Sequence, residues 1–126
     1  MIRKTAVVWV GVLMLLCFSI GTGFGFNEAQ LKQLRATNQC PGCDLSNASL
    51  SGANLSRANL TGAFLNDAYL ANANLSKANL TEAKLFFAIL VDVNLTGTVL
   101  TGAKLSTALW VNAARCAEGS VGECKK

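Results

Sequence analysis

The chain has 126 residues, of which 52% are hydrophobic and only 14% charged, and it contains no His. A chain of this length builds one domain around one core. Without His, an imidazole general base, a Ser-His-Asp triad and a His-ligated zinc site are all excluded. The formal net charge is +4, and without Arg3 and Lys4 nine basic residues face seven acidic ones. That balance lacks the clustered basic surface typical of nucleic-acid binding, so we expect no nucleic-acid partner.

The amino-terminal segment, residues 1–25, has the pattern of an export signal. Arg3 and Lys4 precede an uncharged run over residues 7–20, which is followed by small residues. A short positive region, an apolar stretch and a small-residue zone describe a secretory signal peptide. The alternative is an uncleaved anchor, because residues 7–26 are about long enough to cross a bilayer. We therefore expect an exported protein that is periplasmic or extracellular, or is held to the inner membrane by this segment.

Residues 26–42 are predicted to form a short capping helix and a Cys-Pro-Gly-Cys lead-in. Asn27 is a suitable N-cap for a helix over residues 27–39, in which Leu31 and Leu34 share one face. We expect this face to cover the amino-terminal end of the domain that follows.

From residue 43 to residue 112 the sequence repeats every five residues, through fourteen units without an insertion. Each unit has a small residue and, two positions later, a Leu. On a helix, a period of five would rotate successive Leu residues by about 140°, and on a flat strand they would alternate between faces. A short extended triplet followed by a bend instead places every Leu inside a coil. The Leu residues are at positions 45, 50, 55, 60, 65, 70, 75, 80, 85, 90, 95, 100 and 105, with Trp110 next.

The two positions after each Leu carry the signature of a turn. The first is mostly Ser or Thr, and the second is often Gly, Asn or Asp. These residues bond to their own backbone at turns or tolerate positive φ. Because this signal shares the register of the Leu residues, the sequence predicts a corner after each Leu.

Units such as ANLSR at residues 53–57 and ANLTE at residues 78–82 resemble the pentapeptide-repeat family. The resemblance implies an all-β solenoid, a right-handed quadrilateral β-helix of about three and a half coils, in which residues 20 apart stack in columns. The chain then divides into a signal or anchor (1–25), a capping helix and lead-in (26–42), the β-helix (43–112) and a tail (113–126).

The stacked columns predict one apolar surface on an otherwise polar solenoid. The outward column of one side reads Ser49, Tyr69, Ile89 and Leu109. Neighbouring columns extend it, so the predicted interaction surface consists of Phe64, Tyr69, Phe86, Phe87, Ile89, Val91, Leu109 and Val111. An apolar surface of this size is typical of a site for an unidentified protein partner, a second copy or a membrane. Alternatively, the tail folds back and covers it.

Four cysteines lie outside the amino-terminal segment, and an even number in an exported chain suggests disulfides. Cys40 and Cys43 take inward positions of a partial repeat, as buried thiols or as a local disulfide. A redox pair or a metal site are the alternatives, although the βαβ context of a thioredoxin-like motif is missing. Cys116 and Cys124 are expected to close a loop in the tail.

These features predict a non-catalytic scaffold or interaction module that needs no cofactor. One alternative is a thiol-disulfide enzyme using Cys40 and Cys43. The family resemblance implies another, a topoisomerase-binding DNA mimic. Such mimicry needs a strongly acidic surface, whereas residues 43–112 carry four basic and four acidic side chains.

Overall fold

The computed structural model of the protein describes residues 25–126, which form one α-helix and a stack of four-sided coils. The helix, α1, spans Glu28–Thr37. The β-structure of the described residues consists of single-residue bridges rather than continuous strands. The predicted signal or anchor lies outside the described residues, apart from Gly25. No helix in the described part of the chain has the length and hydrophobicity needed to span a membrane.

Parallel bridges join residues that are 20 apart, so one coil is four pentapeptides long. They form one ladder on each of the four sides. The ladders are Asp44–Phe64–Lys84–Lys104, Ser49–Tyr69–Ile89–Leu109, Asn54–Asn74–Asn94 and Gln39–Asn59–Asn79–Val99. The five-residue period of the sequence is therefore one side of the coil.

Each corner is a β-turn that begins at the repeat Leu. The carbonyl oxygen of Leu55, for example, accepts a bond from the Ala58 N–H at 3.0 Å. Between them, Arg57 has a φ of 60°. A positive φ at the third residue is the geometry of a type II turn, which favours Gly or Asn. Gly and Asn fill many corners, but several hold less suitable residues: Arg57, Lys77, Glu82, Phe87 and Thr107.

The backbone of a regular unit has all of its N–H groups paired. In residues 58–62, four N–H groups donate to backbone carbonyl oxygens, three of them in neighbouring coils. The fifth, on Thr61, donates to the Asn59 side-chain Oδ1 at 3.2 Å. The Asn before the Leu therefore supplies the acceptor that the ladder lacks. The same side-chain bond recurs at Asp44, Asn54, Asn74, Asn79 and Asn94.

The core is a column of Leu and Ala side chains along the axis, in which eleven of the thirteen repeat Leu residues are buried. The expectation that all thirteen lie inside is wrong for Leu95 and Leu100, which are only partly buried. The reason is their position in the last coil, where no further coil lies above them. Thr98 takes an inward position between them, and its hydroxyl donates to the Leu75 carbonyl oxygen at 2.7 Å.

Helix α1 lies at the amino-terminal end, and its Leu31 and Leu34 side chains belong to the same core. The Asn27 side chain caps it by accepting from the Gln30 N–H at 3.2 Å. The helix ends at Thr37, two residues before the predicted end, because Asn38 adopts a left-handed conformation with φ 59°.

The tail crosses the opposite end of the stack. Antiparallel bridges pair Arg115 with Leu109 and Val121 with Lys104. Between them Ser120 is fully buried, and its hydroxyl donates to the Ala117 carbonyl oxygen at 2.7 Å. The tail therefore covers the part of the last coil around residues 103–110.

Two corner substitutions test the turn geometry in opposite directions. Gly62 has a φ of 66°, and an added Cβ would meet nothing within 4 Å. Gly62→Ala therefore isolates backbone strain, and we expect it to lower the free energy of unfolding by about 1–2 kcal/mol. Thr107 is β-branched at φ 63°, so Thr107→Asn should raise it by about 0.5 kcal/mol. Urea unfolding measures both, and equal midpoints for the two variants would contradict the assignment.

The side-chain acceptors are tested at Asn79, whose Oδ1 accepts from the Thr81 N–H at 3.0 Å and from its hydroxyl at 2.6 Å. Asn79→Ala leaves the Thr81 N–H without this acceptor and should cost about 1 kcal/mol of unfolding free energy. Asn79→Asp keeps an acceptor oxygen at the same position and is the matched control, with an expected loss well below that of the Ala variant. A similar loss in both variants would show that the bond is not what stabilises the corner.

Candidate interaction surface

The ladder Ser49–Tyr69–Ile89–Leu109 runs up one side of the solenoid and becomes apolar towards the carboxyl end. Backbone hydrogen bonds hold its members in adjacent coils. The Ile89 N–H donates to the Ala68 carbonyl oxygen at 2.9 Å, and the Leu109 N–H donates to the Ala88 carbonyl oxygen at 2.8 Å. Since the flanking Ala and Leu residues point inward, the ladder residue points outward. The Tyr69 side chain is 51% exposed.

Two corners widen this surface. Phe86 and Phe87 form the corner that joins the Phe64 side to the Ile89 side. Phe87 holds the positive-φ position and is 56% exposed. On the other corner, Val91 and Val111 are partly buried. The eight predicted surface residues thus lie on two adjacent sides and their corners. We call them the apolar face: Phe64, Tyr69, Phe86, Phe87, Ile89, Val91, Leu109 and Val111.

Sequence reasoning missed the charge at the edge of this face. The Lys84 Nζ lies 4.0 Å from the centre of the Phe64 ring, in a cation–π contact. The two residues are 20 apart in one ladder, so the register could have revealed the pair. The sequence also gave no sign of a buried polar atom at Asn66, a corner residue 20 positions before Phe86. Within residues 25–126 its Oδ1 is the one buried side-chain oxygen or nitrogen that has no hydrogen-bond partner.

The tail does not fold back over the apolar face. It pairs with Leu109 and Lys104 at the end of the stack, while Tyr69 and Phe87 stay exposed lower on the side. The covering alternative is therefore wrong for most of the face, because the unpaired backbone edge of the last coil draws the tail across the end.

The four cysteines form two local pairs. Cys40 and Cys43 lie at an S–S distance of 2.00 Å across the first corner, and both are buried in the core. Cys116 and Cys124 lie at an S–S distance of 2.06 Å and close a loop of the tail. Cys116 is buried, whereas Cys124 is partly exposed. Among residues 25–126, no three Cys, Asp or Glu side chains are close enough together to hold a metal ion.

A family of known proteins has the same five-residue repeat that the ladders show. The model of pentapeptide repeats (8 copies) matches residues 40–76 and 78–108, more than half of the chain. The chain belongs to the pentapeptide-repeat family. Members of this family form right-handed quadrilateral β-helices and are generally non-catalytic structural or interaction modules.

Several solved structures are similar. HetL, a pentapeptide-repeat protein involved in heterocyst differentiation regulation in the cyanobacterium Nostoc sp. strain PCC 7120, is 36% identical with a TM-score of 0.59. The match covers 61% of this chain and 36% of HetL, so the chain spans about a third of that protein. The protein alr5209 from Nostoc PCC 7120 is 33% identical over 68% of this chain and 80% of its own, with a TM-score of 0.42. No protein with a curated functional description matches.

Burial predicts the order in which the cysteine pairs respond to reductant. Cys124 is partly exposed, so Cys116–Cys124 should be reduced and alkylated first in the native protein. Cys40 has no exposed surface, so Cys40–Cys43 should be labelled only after unfolding. Peptide mass spectrometry after a timed reduction and alkylation series reads out both pairs. Fast labelling of Cys40 in the folded protein would contradict the prediction and favour a redox role.

Proposed function

We propose that this protein is an exported, non-catalytic scaffold that docks a protein partner on its apolar face. The observation that carries the proposal is a set of eight apolar side chains in adjoining ladders and corners, with Tyr69 and Phe87 more than half exposed. The ladders on the other two sides consist mostly of Asn. An exposed apolar surface with a polar surround is the usual mark of a binding site.

The stiffness of the scaffold supports this role. Tyr69 and Ile89 are held on a backbone whose N–H groups bond to the coil below, as the Tyr69 N–H does to the Ala48 carbonyl oxygen at 3.0 Å. A surface that is already ordered loses little conformational entropy on binding. Aromatic side chains such as Phe64 and Phe87 are enriched in protein–protein interfaces, and Tyr, as at Tyr69, is enriched among the residues that dominate binding energies. The Lys84 ammonium group next to Phe64 adds a polar edge for orienting a partner.

Three features support export and a scaffold role. The predicted signal or anchor of residues 1–25 would deliver the chain to an oxidising compartment, periplasmic or extracellular. Two local cysteine pairs suit such a compartment. Helix α1, whose Leu31 and Leu34 side chains belong to the core, is suited to act as the amino-terminal cap that a short solenoid requires.

The alternatives have less support. A thiol-disulfide enzyme needs an accessible sulfur, whereas Cys40 and Cys43 are both buried. A topoisomerase-binding DNA mimic needs a strongly acidic surface, whereas residues 43–112 are balanced in charge.

The proposal predicts that Ile89→Asp combined with Leu109→Asp abolishes partner capture while the coil stays folded. Two carboxylates in the centre of an apolar contact should weaken binding by about 30-fold or more. The assay is crosslinking in cells followed by pull-down and mass spectrometry, with thermal unfolding as the check on folding.

The matched control is Asn74→Asp combined with Asn94→Asp. It adds the same charge on a polar ladder and keeps the acceptor oxygens of that ladder. We expect the control to capture the partner at the wild-type level. If the Ile89 and Leu109 variant captured the same partners in the same amounts, the apolar face would not be the docking surface.

A further inference from the structure

The last coil is covered over only half of its end. Above residues 103–110 the tail supplies hydrogen-bond partners, as in the Leu105 N–H bond to the Ser120 carbonyl oxygen at 2.9 Å and the Thr107 N–H bond to the Cys116 carbonyl oxygen at 3.0 Å. Over residues 93–101 no other segment of residues 25–126 takes this role. The carboxyl end of the solenoid is therefore a step, with the tail on the higher half.

The lower half presents a row of backbone donors. In a regular coil, the N–H groups of the repeat Leu and of the second corner residue donate to the coil above, as Leu75 does to the Asn94 carbonyl oxygen at 2.9 Å. Within residues 25–126, the N–H groups of Leu95, Gly97 and Leu100 have no acceptor. An unpaired edge of this kind is a template for another chain.

The higher half presents unpaired groups of its own. In an antiparallel pair, alternate residues direct both backbone groups away from the partner. Arg115 and Val121 are these residues in the tail, since the bonds to the coil run through Ala114, Cys116, Ser120 and Gly122. The carbonyl oxygens of Arg115 and Val121 accept no bond within residues 25–126. The outer edge of the tail thus carries free carbonyl oxygens together with the Arg115 and Val121 N–H groups, and its free carbonyl oxygens are suitable acceptors for the donors of the lower half.

We propose that a second copy of this chain docks on the carboxyl end, head to head about a two-fold axis. The two halves differ in height by one backbone layer, about 4.8 Å. A two-fold axis between them places the tail of each copy on the lower half of the other, which is a self-complementary contact. The donors at Leu95, Gly97 and Leu100 then face the partner copy's tail, in which the Arg115 and Val121 carbonyl oxygens can accept two bonds from this row. The partly exposed Leu95 and Leu100 side chains are covered by the same contact.

This contact lies on a different surface from the body of the apolar face and rests on different observations. It is confined to one end of a narrow coil, so it belongs to the small, weak class of interfaces. We expect a dissociation constant of about 10–100 μM.

The test is amide hydrogen exchange by NMR across a concentration series, with sedimentation equilibrium on the same samples. The sample is the chain as recovered from cells, in mild detergent if residues 1–24 are retained. We expect the Leu95, Gly97 and Leu100 amides to exchange at least about tenfold more slowly as the dimer forms. The Leu75 amide, bonded within the stack, should exchange slowly at every concentration.

Leu100→Lys places a charge on the open end and should raise the dissociation constant at least about tenfold. Thr101→Lys adds the same charge on the exposed corner beside it and is the control. Ile89→Asp should leave the dimer unchanged, which separates this contact from docking on the apolar face. If Leu100→Lys fails to fold, the wild-type exchange data still decide the question.

Two results would overturn the proposal. One is a monomer at every concentration, with the Leu95, Gly97 and Leu100 amides exchanging freely. The other is a dimer in which these three amides stay unprotected, because association would then use another surface. Protection that arises from a different protein, without dimer formation, would also count against a second copy as the occupant.

Discussion

Every corner of this solenoid needs one residue with positive φ, and the rest of the structure depends on that need being met every five residues. Each turn changes the direction of the chain, and four such turns close one coil, as the bridges between residues 20 apart show. Closure in turn places three of the five backbone N–H groups of a regular unit, such as residues 58–62, beside carbonyl oxygens of the adjacent coils. Where Asn or Asp precedes the Leu, its side-chain oxygen accepts from the one N–H of the unit that lacks a backbone acceptor, as Asn59 does for Thr61.

The same constraint gathers apolar residues that are far apart in the chain into one exposed surface. Tyr69, Ile89 and Leu109 are far apart in the chain, but the register stacks them on one side. The corner at Phe87 then exposes an aromatic ring at a position where the backbone would favour Gly or Asn. The corner conformation therefore does not select against a large side chain so strongly that the apolar surface stops at the ladder.

The two ends of the solenoid differ in how completely they are covered. At the amino end, α1 places Leu31 and Leu34 in the core, and the Asn27 backbone N–H donates to the Asp44 carbonyl oxygen at 2.9 Å. At the carboxyl end, the tail pairs with the coil around Leu105 and leaves Leu95 and Leu100 partly exposed. The open ends of a solenoid are shielded by a cap or by a partner, and the half-covered carboxyl end is where we expect the second copy.

The sequence by itself determined the register, most of the Leu core, the corners, the N-cap of α1 at Asn27 and the set of apolar residues on two adjacent sides. A strict repeat makes this possible because it fixes which residues stack on one another. Only the tertiary structure decided the path of the tail, the partial exposure of Leu95 and Leu100 and the contact of Lys84 with Phe64. The tail carries no repeat, so its position follows from the donors and acceptors of the last coil, which are long-range partners.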